Sequence, residues 1–217
     1  MSVRIGGLTG ATLEQAPTVC HTCMWWQSRT GGRERDKRRW IEKAETDFGA
    51  WGTIYYDDDG HALGSMQYGA ARLFPRAAEL PAGPPSDDAV LVTCAYLVDR
   101  SSPWVLQSLF LAAIGEAKDK GAAALEAFAY RYPEGQSDYE RFLVHRTVFP
   151  HDFLADFGFR PIRSAGAWRP GAGARGQARE GAADVAGDVS ARAAPRAETA
   201  RLSHFRLSHP GLSARPL

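Results

Sequence analysis

The chain has 217 residues, 44% of them apolar and 24% charged, with a formal net charge of +1. A charge so near zero speaks against nonspecific nucleic-acid binding as the main activity, and no apolar run approaches the roughly 20 residues of a membrane-spanning helix. Three cysteines are odd in number and too few for a disulfide framework, and the start MSVRIGGLTG lacks a signal-peptide core, so a reducing cytoplasm is the expected setting.

Val3 to Leu8 predicts a short first strand, and Thr12 caps a short helix over Leu13 to Ala16. Cys20-His-Thr-Cys23-Met-Trp25-Trp26 follows. Its cysteine pair is half of what a structural zinc needs. Cys94 falls in a buried strand and the adjacent His21 gives poor tetrahedral geometry, so the reading is packing beside Trp25 and Trp26, with no metal. Trp40, Ile41, Ala44 and Phe48 lie on one helical face whose other side carries interleaved charges. Gly52 to Tyr68 predicts a hairpin turning at Asp57-Asp58-Asp59-Gly60. Those aspartates lack the alternate spacing and distal Glu of a calcium loop. Ala70 to Ala89, with four prolines, reads as a surface loop long enough to be functional.

Ala89 to Ala129 is the most regular stretch. An almost wholly apolar strand leads through Arg100-Ser101-Ser102-Pro103-Trp104 into a helix, then a Gly break and a second strand. Leu106, Leu109, Phe110, Ala113, Ile114 and Ala117 share one helical face. Pro103 suits the first turn, Lys118 and Lys120 suit the last, and Gly121 suits the left-handed position beyond it. The connection is where such a unit places helix N-terminal amides against an anion. A polar loop around Tyr132 to Arg146, a short helix from His151 to Phe157 ended by Gly158, and a short strand from Phe159 to Arg163 complete the pattern.

From Ser164 the text turns to Ala, Gly, Arg and Pro with few bulky apolar residues, too few to offset ordering entropy. One domain is therefore expected over residues 1–164 and a disordered tail over 165–217. Inside that tail Arg201-Leu-Ser-His-Phe-Arg-Leu-Ser-His-Pro210 is a near-repeat without an assigned role. The abrupt change suggests a shifted reading frame replacing a final strand. Such a loss would leave a sheet edge open, with homodimerisation as one consequence.

The order of these elements, with a hairpin before the central strand–helix–strand unit, resembles the GNAT acetyltransferase superfamily. The hairpin Gly52 to Tyr68, the unit Ala89 to Gly121 and the element Asp152-Phe-Leu-Ala-Asp-Phe157-Gly158-Phe159 carry the resemblance. With Cys20-x-x-Cys23-x-Trp25 and Pro81-Ala-Gly-Pro84, the chain looks like an actinobacterial GNAT-like subgroup of unassigned substrate. The resemblance implies an α/β fold, a mixed, V-splayed sheet with helices on both faces. It also implies acetyl-CoA as acyl donor and an amine as acceptor, on a small molecule or a peptide.

Carried onto this chain, the family's cofactor site falls on Tyr96, Leu97 and Val98 of the fourth strand and on Arg100, Ser101, Ser102, Trp104 and Val105 of the connection. Glu126 is the carboxylate nearest to a general base, with Asp87 or Asp88 able to reach from the loop before the fourth strand, and Tyr130 is a candidate proton donor, beside Tyr96 and Tyr132. Two departures stand out. No glycine occurs between Gly83 and Gly115, although the family's phosphate loop is patterned Q/R-x-x-G-x-G/A. Leu154 occupies the position of the family's frequent acid tyrosine. The alternatives are thus an active N-acetyltransferase, a degenerate domain that binds acyl-CoA or a protein without turnover, and a structural interaction module.

Overall fold

Apolar alternation and turn chemistry resolve into eight strands of one sheet. The computed structural model describes residues 4–98, 102–131, 142, 148–167 and 201–208. The strands are β1 (Arg4–Gly7), β2 (Gly52–Tyr56), β3 (Ala62–Ala70), β4 (Ala89–Leu97), β5 (Ala124–Arg131), β6 (Phe149–Pro150), β7 (Arg160–Ala167) and β8 (Arg201–Ser208). Their order is β1-β2-β3-β4-β5-β8-β7, with β6 paired to β5. Pairs β4–β5 and β5–β6 are parallel and the others antiparallel. The helices are α1 (Thr18–Thr22), α2 (Glu34–Asp47), α3 (Pro103–Asp119) and α4 (His151–Asp156). The architecture is the expected α/β one, a mixed, splayed sheet with helices on both faces.

The long helix α3 forms where its apolar face predicts. Leu106, Leu109, Phe110 and Ala113 are wholly buried, and Gly121 takes φ +69° just past its end. Phe110 gathers the rings of Phe149, Phe153, Phe157 and Phe159, which ties α3 and α4 together on one face. On α2, Trp40 packs edge-on against Trp51 and its Nε1 donates to Leu73 O at 2.9 Å.

Two expectations are corrected. The Pro-rich segment after β3 is no surface loop: it winds into short 3₁₀ turns that bury Leu73, Phe74, Ala77 and Ala82. The segment Arg201–Ser208, assigned above to a disordered tail, is a strand inside the sheet. It pairs along the whole of β5 on one side and with β7 on the other. β7 itself runs past residue 164 to Ala167. The final strand is therefore present, the edge of β5 is covered, and the argument for dimerisation through that edge loses its ground. Composition missed β8 because two of its three buried residues, Ser203 and His204, are polar. Both are buried beside Phe205, held by partners from β5 and β7 rather than by their own hydrophobicity. The remaining tail residues, 168–200 and 209–217, lie outside the described ones.

Candidate active site

β4 and β5 pair only from Ala89↔Ala124 to Val92↔Ala127. Beyond that point the two strands run on, to Leu97 and Arg131, without pairing to each other. Since β8 occupies one edge of β5 throughout, the pairing of β6 with Ala129 and Tyr130 fills the edge that faces β4. The other wall of the opening stays bare. On the β3 side the Val98 amide donates to Leu63 O at 2.9 Å. Successive residues of an antiparallel strand turn their N–H and C=O groups to alternate edges, so Ala95 and Leu97 turn theirs into the opening. Among the described residues no strand pairs with them there. Tyr96 is half-buried, Leu97 buried and Val98 60% exposed.

The connection after β4 delivers fewer donors than the resemblance implies. Arg100 and Ser101 lie outside the described residues. Pro103, the first residue of α3, has no N–H, and the Val105 amide donates to Ser102 O at 3.0 Å. Two of the first three helical amides are thereby withheld from an anion. The Val105 side chain is buried core: a Cβ built on Gly64 would stand 3.0 Å from its Cγ1 and 2.9 Å from Tyr96 O, so a glycine there lets α3 close on β3. Trp104 packs edge-on against Tyr55 of β2, with centroids 5.3 Å apart. Its bulk is directed toward β2, which β3 and β4 separate from β5, rather than into the opening.

Glu126 is fully buried at the last levels where β4 and β5 still pair. Ser86 donates to it twice, from N at 2.9 Å and from Oγ at 2.7 Å, and Arg206 Nη1 lies 3.0 Å from Oε1. His204 Nε2 stands 2.9 Å from Oε2, off the line of a good hydrogen bond. Burial pushes this carboxyl up, but His204 and Ser86 outweigh that and hold it below its ordinary value. Arg206 also reaches Asp88 at 3.3 Å. A carboxylate so occupied is a tie between β5, β8 and the segment before β4; its lone pairs are committed to partners that a base would have to release. Tyr130, two residues beyond Phe128 on the same strand face, is buried as well.

Sequence reasoning missed Ser86, His204 and Arg206. The signal was present in the near-repeat, whose alternation places His204 and Arg206 on one face and Ser203, Phe205 and Leu207 on the other. Phe128 stacks on His204, with centroids 4.6 Å apart, and also on Trp26, at 5.9 Å. Trp25 meets Trp26 edge-on. The indole N–H groups of both tryptophans, Gln27 Oε1 and His204 Nδ1 are buried without hydrogen-bond partners among the described residues. Nearby, Gln27 Nε2 and Thr93 Oγ1 both donate to Gln67 Oε1.

Cys20, Cys23 and Cys94 are free thiols. Burial pushes the Cys94 thiol up, as burial of a chargeable group does. Lys37, buried beneath them, donates to Cys23 O at 3.2 Å and lies over the rings of Trp40 and Trp51; burial lowers its pKa. His21 Nε2 is 3.0 Å from Ala16 O. Among the described residues the one group close enough to share an ion is Asp57, Asp59 and His61 in the hairpin turn. There Asp57 Oδ1 already accepts from the amides of Asp59 and His61.

No protein-family model matches the chain, and no curated protein matches it. Solved structures do. An N-acetyltransferase from Staphylococcus aureus Mu50 aligns over 96% of this chain and 99% of its own, at 12% identity and a TM-score of 0.52. A protein named as an acetyltransferase from Acinetobacter baylyi ADP1 aligns over 99% of this chain and 96% of its own, at 12% identity and a TM-score of 0.53. At such identities the likeness is one of fold, and the fold of this chain is that of these acetyltransferases.

Proposed function

We propose that the chain is an N-acyltransferase that takes an acetyl group from acetyl-CoA and passes it to a primary amine, on a small molecule or a peptide. The supporting observation is the bare edge of β4. Ala95 and Leu97 offer backbone groups to an extended, amide-bearing arm, which is the form of pantetheine, and no strand among the described residues competes for them. The diphosphate end fits less well. With Pro103 and Val105 withheld, Arg100 with Ser101 and Ser102 is left to hold its charge through side chains. No helix among the described residues is long and apolar enough to cross a membrane, and the three free thiols suit the reducing cytoplasm we assign to the protein.

Acetyl-CoA at 100 times its Kd should raise Tm by about 5–10 °C, from about 2.7 kcal/mol of linkage on a chain of this size. No rise at millimolar acetyl-CoA would remove the proposal. A second reading, binding without turnover, is favoured by the buried Leu154 in place of an acid tyrosine. It predicts the same rise in Tm, with no loss of thioester against any amine.

A further inference from the structure

Cys20 and Cys23 stand on one helical turn. The Cys20 amide donates to Pro17 O at 2.7 Å and the Cys23 amide to Val19 O at 3.2 Å, so the turn is closed through both residues. Three residues apart on such a turn, their Cα atoms are about 5 Å from each other, inside the range of about 4.4–6.8 Å over which disulfides form. Both thiols are free and half-buried rather than sealed in the core. A shared metal does not suit them. Among the described residues the sulfurs of Cys20, Cys23 and Cys94 do not all come within 4.8 Å of one another, and His21 turns its Nε2 to Ala16 O at 3.0 Å. Pairwise sulfur chemistry remains.

Beneath this turn lies Lys37, 2% exposed. It donates to Cys23 O at 3.2 Å and lies over the rings of Trp40 and Trp51, but no carboxylate pairs with it among the described residues. A buried ammonium without a counter-charge is costly. The acids whose charge reaches it are Cys23, Cys20 and Cys94. Burial pushes the Cys94 thiol up, so it stays protonated, and the turn of α1 is left to supply a thiolate. The same turn leads on to Trp26, which stacks on Phe128, the first β5 residue beyond the last pair with β4.

We propose that Cys20 and Cys23 form a redox-active dithiol that closes to an intramolecular disulfide on reaction with a small-molecule disulfide, with Lys37 favouring the attacking thiolate. The assignment stands apart from the acyltransferase reading. A thiolate of the pair attacks one sulfur of the reagent, whose S–S bond breaks, and the other half leaves as a thiolate that takes up a proton. The second cysteine gives up its proton and attacks the protein sulfur of the mixed disulfide, expelling the remaining half. The reagent gains two electrons and becomes two thiols; the dithiol loses two and becomes a disulfide. In a reducing compartment such a bond is transient, which is the form a redox-sensing pair takes there.

The test treats the full, native chain with glutathione disulfide and then alkylates it. Two of the three free thiols should be lost, together with the mass of two hydrogens, and both should return with dithiothreitol. Peptide mapping should show Cys20 bridged to Cys23 and Cys94 still alkylated. Three unreacted thiols, glutathione retained on the wild type, or a bridge that includes Cys94 would overturn the proposal. In Cys20→Ser and in Cys23→Ser no bridge should form; one forming in either would mean that Cys94 takes part, and the pairing falls. Lys37→Met should slow closure of the native protein about 10-fold, yet leave the reaction of the urea-unfolded chain unchanged. An unchanged native rate overturns the part given to Lys37. If Lys37→Met fails to fold, the mapping of the wild type still decides whether Cys20 and Cys23 pair.

Discussion

Glu126 and Lys37 are ionisable groups committed to the interior, and both make stability rise with pH, in different windows. Glu126 has its carboxyl lowered by His204 and Ser86, so its contribution is complete above the ordinary carboxylate value of about 4.3 and fades as pH falls toward its folded value. Glu126→Gln leaves Arg206 without its nearest counter-charge; it should cost about 3 kcal/mol at neutral pH and flatten the acid limb of a stability titration. Lys37 has its pKa lowered by burial, so the unfolded chain binds more protons between that lowered value and about 10.4, and stability rises with pH across this window. Lys37→Met should remove the rise and leave the protein about 1 kcal/mol more stable at pH 7, because a buried charge is exchanged for packing. Denaturant midpoints at several pH values check both.

At the scale of elements, α3, β4 and β5 were readable because each carries its own explanation. One apolar stripe, one continuous apolar run and one glycine at positive φ suffice for them. β8 was not readable, because what buries it lies elsewhere. Ser203 meets Ser164 across β7, and His204 and Arg206 meet Glu126 across β5. The chain between β7 and β8, residues 168–200, separates the partners further than any local pattern reaches. The site was legible to the same degree: Glu126 stood out as a carboxylate in an apolar strand, while its partners hid in a segment that composition alone reads as tail. Two measurements test the weight of this strand. Phe205→Ala, at a fully buried position, should cost about 3–5 kcal/mol. A chain ended at Ala200 should expose the edge of β5 and associate or aggregate, visible in sedimentation, whereas removal of 209–217 should leave the protein monodisperse.

For the molecule as a whole, the splay between β4 and β5 is the feature on which the proposed function turns, and it is not symmetric. β6 already satisfies the inner edge of β5 at Ala129 and Tyr130. Whatever enters must therefore dock as a guest strand against one host only. Amide exchange should report this lopsidedness. Adding acetyl-CoA should slow exchange at Ala95 and Leu97, while Ala129, closed off beforehand, should exchange at the same rate with or without it. Equal slowing on both strands would mean that β6 gives way. A cleft with one wall sealed in advance also gives its occupant a fixed handedness. The guest can lie along β4 in just one lateral position, so its reactive end is set by the length of the guest rather than by any grip from β5.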